Sequence, residues 1–139
     1  MQLIKVVLDP GAKKPVRAHT TDAGWDLFSR EDGVIPARGS LIFDTGVHVG
    51  IEPGYVGLLK SKSGLNINFD LTSDGVIDAG YTGSIVVKVY NHSNDDYLVR
   101  AGDKITQLVI LPICVAEIEL TNTLEETERG TSGFGSSGR

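Results

Sequence analysis

Asp78 and Tyr81 lie three residues apart inside a stretch bounded by glycines, Gly75-Val-Ile-Asp-Ala-Gly-Tyr-Thr-Gly83. That spacing suits a tight hairpin. A carboxylate held on such a turn can orient and deprotonate a water molecule. The main-chain groups from Gly75 through Ile77 to Tyr81 can read the edge of a base while the Tyr81 ring packs against a sugar. An ordinary β-turn would use the same residues.

Three further internal segments have side chains suited to phosphate. Lys60-Ser-Lys-Ser-Gly-Leu65 combines ammonium groups, hydroxyls and a glycine backbone, a workable phosphate cradle. If the segment is extended, Lys60 and Lys62 share one face and Ser61 and Ser63 the other. A solvated strand end would have the same composition. Ala23-Gly-Trp-Asp-Leu27 sets Asp26 beside a tight glycine, where a carboxylate organises a loop or caps a turn. In Gly102-Asp-Lys-Ile-Thr-Gln107 the amide of Gln107 can bind a phosphate or a water, or can be the outward polar residue of a strand.

The last eleven residues, Arg129-Gly-Thr-Ser-Gly-Phe-Gly-Ser-Ser-Gly-Arg139, cannot build a core. Composition alone reads them as a disordered terminus. They nevertheless carry one guanidinium, able to pair with phosphate, and one aromatic ring, able to stack on a base. The glycines let backbone N–H groups approach phosphate oxygens. That combination fits a lid over a phosphorylated, ring-bearing ligand.

These segments must be positioned by strands. In Ser84–Asn91, Ile85, Val87 and Val89 fall on one face and Val86, Lys88 and Tyr90 on the other. Leu3–Leu8 is mostly apolar. Ser40–Ile51 and Gly54–Leu59 read as strands separated by the Glu52-Pro-Gly turn, and Val115–Leu120 alternates as well. No amphipathic helix stands out, beyond a short turn of helix after Ser63-Gly64-Leu65. Thr121–Glu128 is polar and acidic and reads as a linker. Many short strands punctuated by glycine predict an all-β sandwich or barrel, with a jelly roll as the natural form.

At 139 residues and 40% hydrophobic content, with mean hydropathy near zero, the chain fits one soluble globular domain. No apolar run reaches membrane-span length, and Met1-Gln-Leu-Ile-Lys5 lacks the layout of a signal peptide. The single Cys114 lies in the apolar run Leu108–Val115, so it is expected to be buried and inert, in keeping with a reducing compartment. A net charge of −5 argues against a general nucleic-acid binder but not against a nucleotide. His19, His48 and His92 show no metal-ligand spacing. Nucleophile-elbow, Walker and Rossmann patterns are missing.

In order, the five segments resemble the five motifs of the homotrimeric dUTP pyrophosphatase (dUTPase) family: Ala23-Gly-x-Asp-Leu27, Ser61-Lys-Ser-Gly-Leu65, Gly75-Val-Ile-Asp-x-x-Tyr81, Gly102-Asp-Lys-Ile-x-Gln107 and Arg129-Gly-x-x-Gly-Phe-Gly-Ser-Ser-Gly138. Each alone is weak, but all five in order are specific. The resemblance implies a jelly-roll-like β barrel over residues 1–120, with a linker and flexible lid over 121–139. It implies hydrolysis of dUTP to dUMP and pyrophosphate with Mg²⁺, limiting uracil in DNA and supplying dUMP for thymidylate synthesis.

The resemblance also implies roles for residues. Asp78 would activate the water that attacks the α-phosphorus. Backbone groups of Gly75, Ile77 and their neighbours would read uracil, and Tyr81 would leave no room for a 2′-hydroxyl. Lys62, Ser63, Gly64 and Gln107 would hold phosphates. Arg129, Gly135, Ser136 and Ser137 would close over the β/γ end, with Phe134 stacked on the base. Asp26 would support the site from behind or hold the tail's partner groups. Mg²⁺ would be held by phosphates and waters, with no direct protein ligand.

Further expectations follow from the resemblance. Pairing with uracil N3–H would reject cytosine, because each mismatched buried polar group costs roughly 1–3 kcal/mol. The tail spans at most roughly 36 Å when extended, enough to reach a neighbouring subunit of a trimer with shared sites. The expected setting is cytoplasmic, or host cytoplasm for a viral protein, with neither nucleic acid nor membrane as partner.

The chain departs from the pattern at Lys62, where Arg is common, and at Thr82 and Ser84, where many members carry Arg and Glu. A dCTP deaminase shares this fold, but its catalytic Glu lies on the strand after the hairpin, and Thr82–Asn91 holds no carboxylate. A dUTPase-like binding module is the other alternative. Intact Asp78, Tyr81, Arg129 and Phe134 favour catalysis and leave an added regulatory partner open.

Overall fold

The computed structural model describes residues 3–138; Met1, Gln2 and Arg139, the last residue of the expected tail, lie outside them. Ten strands and one short helix follow in order: β1 (Lys5–Leu8), β2 (Gly24–Phe28), β3 (Gly33–Ile35), β4 (Ser40–Asp44), β5 (Val47–Gly50), β6 (Tyr55–Lys60), α1 (Ser63–Phe69), β7 (Leu71–Ile77), β8 (Val86–Asn91), β9 (Tyr97–Val99) and β10 (Lys104–Pro112). The main sheet runs β2-β10-β6-β7-β8-β4, with two-stranded ribbons β1-β5 and β3-β9. All of these pairings are antiparallel. The all-β expectation is met, and the curled sheet is that of a jelly-roll protein.

Alternation explains the core. Ile85, Val87 and Val89 are buried while Val86 and Tyr90 are exposed, as the period-two pattern requires. They join Leu27, Ile35, Phe43, Val47, Leu59, Leu71, Ile77, Val99, Ile105 and Leu108 in one cluster. β10 shifts register between Lys104 and Thr106, which places both Ile105 and Thr106 inside. Thr106 meets Lys60 O (3.1 Å) and Ser73 Oγ (2.8 Å) there, so its hydroxyl is satisfied.

The short helix after Ser63 is present. It stops at Asp70, whose left-handed backbone (φ +55°) lets its N–H cap Asn66 O and Leu65 O.

Three expectations are corrected. Ser40–Ile51 is not one strand: it breaks at Thr45-Gly46, where Gly46 adopts φ +66°, and its halves join different sheets. Val115–Leu120 forms no strand, because β10 ends at Pro112 and no strand among the described residues runs alongside the segment. Cys114 is exposed rather than buried, for the same reason: the apolar run it belongs to has already left the sheet.

Candidate active site

The sheet order brings three of the five motifs together. β10 lies between β2 and β6, so Gln107 is opposite Asp26 on one side and Lys60 on the other. Asp26, Lys62 and Gln107 line one cavity of about 230 Å³ with Ala18, Asp22, Ala23 and Gly24. Gln107 Nε2 donates to Ser61 O (2.9 Å), tying β10 to the loop that leads into α1. Ser61 Oγ in turn accepts from Ser73 N (2.9 Å). Ser63 and Gly64, the first residues of α1, are exposed beside this loop.

Asp26 is only 3% exposed and holds two cations. Lys62 Nζ donates to Oδ1, and Lys104 Nζ lies 2.9 Å from Oδ2. Burial alone would raise the Asp26 pKa, but the hydrogen bonds and charges of the two lysines outweigh it and hold the carboxylate below its ordinary range. Lys62 therefore brings positive charge to the cavity wall while resting on Asp26. Lys104 is a member of the site that the sequence reading did not single out. The available signal was its place three residues before Gln107, inside the same motif.

Asp78 and Tyr81 lie elsewhere. Asp78 opens a turn closed by Tyr81 N donating to Asp78 O (3.1 Å), with Gly80 at φ +85° as its third residue. The Asp78 carboxylate is exposed. Tyr81 folds back so that its OH donates to Ser84 O (2.9 Å). Gly83 makes this possible, since a Cβ there would lie 2.3 Å from the Tyr81 oxygen. Gly75 similarly accommodates Leu59 opposite it: a Cβ would meet Leu59 Cδ1 at 3.0 Å. Ile77, the last residue of β7, is buried.

Because Asp74 pairs with Lys60 and Ile77 with Gly57, the hairpin begins four residues along β7 from the Lys60 end. That is about 13 Å of extended chain. Within one chain the carboxylate of Asp78 and the cavity of Asp26, Lys62 and Gln107 are thus at opposite ends of the β6-β7 pair.

The tail makes local turns: Ser132 N to Arg129 O, Ser136 N to Gly133 O and Gly138 N to Gly135 O. Arg129 Nε donates to Ser132 O (2.9 Å), and Phe134, Gly135, Ser136 and Ser137 are exposed. Of the departures, Ser84 is engaged through its side chain and Thr82 through its main-chain carbonyl. Thr82 O receives His48 Nδ1 at 2.7 Å, and Ser84 Oγ donates to Asp44 Oδ1. A larger groove of about 490 Å³, lined by Leu3, Ile4 and Val6 with Arg17, Trp25 and Ile110, contains none of the expected site residues.

The chain belongs to the dUTPase family, whose model matches residues 11–138. It is 40% identical over 130 residues to the deoxyuridine 5′-triphosphate nucleotidohydrolase of Kluyveromyces lactis, covering 92% of this chain and 88% of the relative. It is 41% identical over 138 residues to that of Fowl adenovirus A serotype 1, covering 99% and 78%. Among solved structures, the Staphylococcus bacteriophage 80alpha dUTPase with dUpNHpp superposes with a TM-score of 0.93 at 35% identity over 100% of both chains.

Proposed function

We infer that the protein is a dUTP diphosphatase: water attacks the α-phosphorus of dUTP, the α–β bridging P–O bond breaks, and dUMP and pyrophosphate leave. The observation that carries this reading is the register of β10, which sets Gln107 between the first and second motifs on one cavity. Phosphoryl transfer depends mainly on positioning and neutralised charge, and a rigid cradle with two lysines nearby supplies both.

In this reading Asp78 takes the proton of the attacking water. Main-chain groups of Gly75–Tyr81 read uracil, and Tyr81 excludes a 2′-hydroxyl. Ser63, Gly64 and Gln107 hold phosphate oxygens, while Lys62 contributes charge and Asp26 fixes it. Arg129, Phe134, Gly135, Ser136 and Ser137 close over the nucleotide, and water exclusion strengthens the phosphate contacts. Residues 1–120 act as the catalytic body and 121–139 as linker and lid.

Mg²⁺ supplies charge neutralisation on the triphosphate. Asp26 is already engaged by two ammonium groups, so this donor set favours a cation held by phosphates and waters. A mutant of the dUTPase from phage phi11 of S. aureus, 32% identical with a TM-score of 0.82, reveals the coordination of a structural Mg(II) ion.

The working unit is a homotrimer with shared sites. Two features support this: the separation of Asp78 from the Gln107 cavity, and the apolar segment after Pro112, where Ile118 and Leu120 are 92% and 94% exposed in the single chain. No helix among the described residues is long and apolar enough to cross a membrane. The cytoplasm, or the host's, is the compartment that this activity suits.

The test is pyrophosphate release with Mg²⁺ from dUTP, dTTP, dCTP and UTP in parallel. Release from dUTP alone is expected. No release from any of them by folded protein would overturn the reading, and ammonia from dCTP would replace it with deamination.

A further inference from the structure

We propose that His48, backed by Asp9, is a positioning residue that grips the hairpin carrying Asp78 and Tyr81, and so sharpens discrimination between deoxyribose and ribose. The inference rests on the dUTP reading above for its substrate, and on hydrogen-bond geometry for its mechanism.

Between Ile77 and Val86 the hairpin is tied to the body of the fold near its two ends, the second reinforced by Thr45 N and Oγ1 donating to Ile85 O (3.0 and 2.7 Å). Gly80 N reaches Ile51 O at a long 3.4 Å, and Ile85 N bonds to Val47 O at 2.8 Å. The Tyr81-Thr82-Gly83-Ser84 segment between these two points is held by side chains. Ser84 Oγ donates to Asp44, Tyr81 OH donates to Ser84 O, and His48 Nδ1 meets Thr82 O at 2.7 Å. His48 thus takes hold of the residue next to Tyr81, from β5 of another sheet. Its other nitrogen, Nε2, lies 2.9 Å from Asp9 Oδ1, just past the β1 strand that pairs with β5.

Both of these partners are acceptors. A carbonyl oxygen has no proton to give, and a carboxylate has none either, so both contacts are made together only when both ring nitrogens carry hydrogen. The charged groups around His48 favour that state. Asp9 faces it from the end of β1 and Asp44, which is ion-paired to Arg30 at 3.3 Å, from the end of β4. The hydrogen bond to Thr82 O, then the one to Asp9, raise the His48 pKa against a smaller desolvation effect, and the two carboxylate charges add to the rise. The sign follows directly. The doubly bonded grip is complete below the ordinary histidine value of 6.5 and is lost as pH rises through the raised value.

The measurement is kcat/KM for dUTP and UTP between about pH 5.5 and 9, for wild type, His48→Gln and Asp9→Asn. The ratio of the two substrates cancels the titration of their shared triphosphate. In wild type the dUTP preference should fall roughly three- to tenfold, the worth of one hydrogen bond, through a single inflection above pH 6.5. Asp9→Asn should move that inflection to lower pH. His48→Gln, which has no titrating proton and carries both its donors on one nitrogen, should abolish the inflection and show the lower preference throughout.

Hydrogen exchange of the residue 80–84 amides in the free protein provides a second readout that needs no substrate. It should quicken in His48→Gln, and in wild type at high pH beyond the intrinsic rate. If preference and exchange in His48→Gln follow wild type, the inference is wrong. If wild type does not hydrolyse dUTP, the parent reading fails, and the exchange measurement alone decides whether His48 grips the hairpin.

Discussion

Gly24 and Gln107 are so close that a β-carbon at position 24 would stand 2.1 Å from Gln107 Oε1. Gln107 cannot simply move away, because its Nε2 is fixed to Ser61 O and links the fourth motif to the second. Gly24→Ala should therefore displace Gln107 and destabilise the fold by about 1–3 kcal/mol. Denaturant unfolding would measure the stability, and pyrophosphate release the accompanying loss of rate. Unchanged values for both would mean that the Gln107 amide has a second resting place.

Asp78 sits exposed on its turn, held there by the backbone bond from Tyr81. Asp78→Asn keeps the turn's shape and removes the base. Turnover should drop about 10²- to 10⁴-fold while nucleotide affinity, followed by calorimetry, stays within a few-fold of wild type. A variant that turns over normally would remove Asp78 from the chemistry.

Tyr81 is folded back over Gly83, and both residues are needed for that pose. Tyr81→Ala and Gly83→Ala should each raise hydrolysis of UTP relative to dUTP, the first by removing the ring and the second by pushing it out of place. Parallel kcat/KM values would check this. A shift in the first variant only would show that the ring finds its place without its contact to Ser84 O.

Asp26 gives the fold a pH dependence of known sign. Its folded pKa is depressed by Lys62 and Lys104, so its contribution is present above the ordinary carboxylate value of 3.8 and is lost as pH falls through the lower, folded value. At neutral pH, Asp26→Asn should destabilise the protein by about 1–3 kcal/mol. Lys104 adds less to this than Lys62, because half its side chain is in water. Unfolding at neutral pH and in steps below pH 4 should show the gap between wild type and variant closing as the medium becomes more acid.

Local periodicity revealed much of the fold, and long-range pairing accounts for what it missed. The alternation of Ile85, Val87 and Val89 was legible because each residue's face follows from its neighbours two positions away. The short helix after Ser63 was legible for a similar local reason. Cys114 was misread because an apolar run says nothing about where its strand runs out of partners. The break at Gly46 was missed because a single glycine inside an alternating run marks either a bend or nothing.

At the site, motif spelling identified Asp26, Lys62 and Gln107 but not their mutual arrangement. The contact of Lys62 with Asp26 joins residues 36 positions apart, and it arises only once β10 has inserted between β2 and β6. The grip of His48 on Thr82 was invisible for the same reason: 34 residues separate the two, and His48 belongs to no motif.

The distance along β7 between Asp78 and the Gln107 cavity has a genetic consequence. A chain with Asp78→Asn and a chain lacking residues 129–139 should each be inactive when expressed alone. Co-expressed, they should assemble mixed particles in which one chain's carboxylate meets another chain's lid, and part of the activity should return. In the proposed homotrimer a chain carrying both defects would disable one site through its carboxylate and another through its missing lid, so its harm would exceed its share of the protein, whereas a chain with one defect would lower activity only in proportion. Size-sorted mixed particles, assayed by pyrophosphate release, would show both effects, and no recovery between the two single-defect chains would place every site within a single chain.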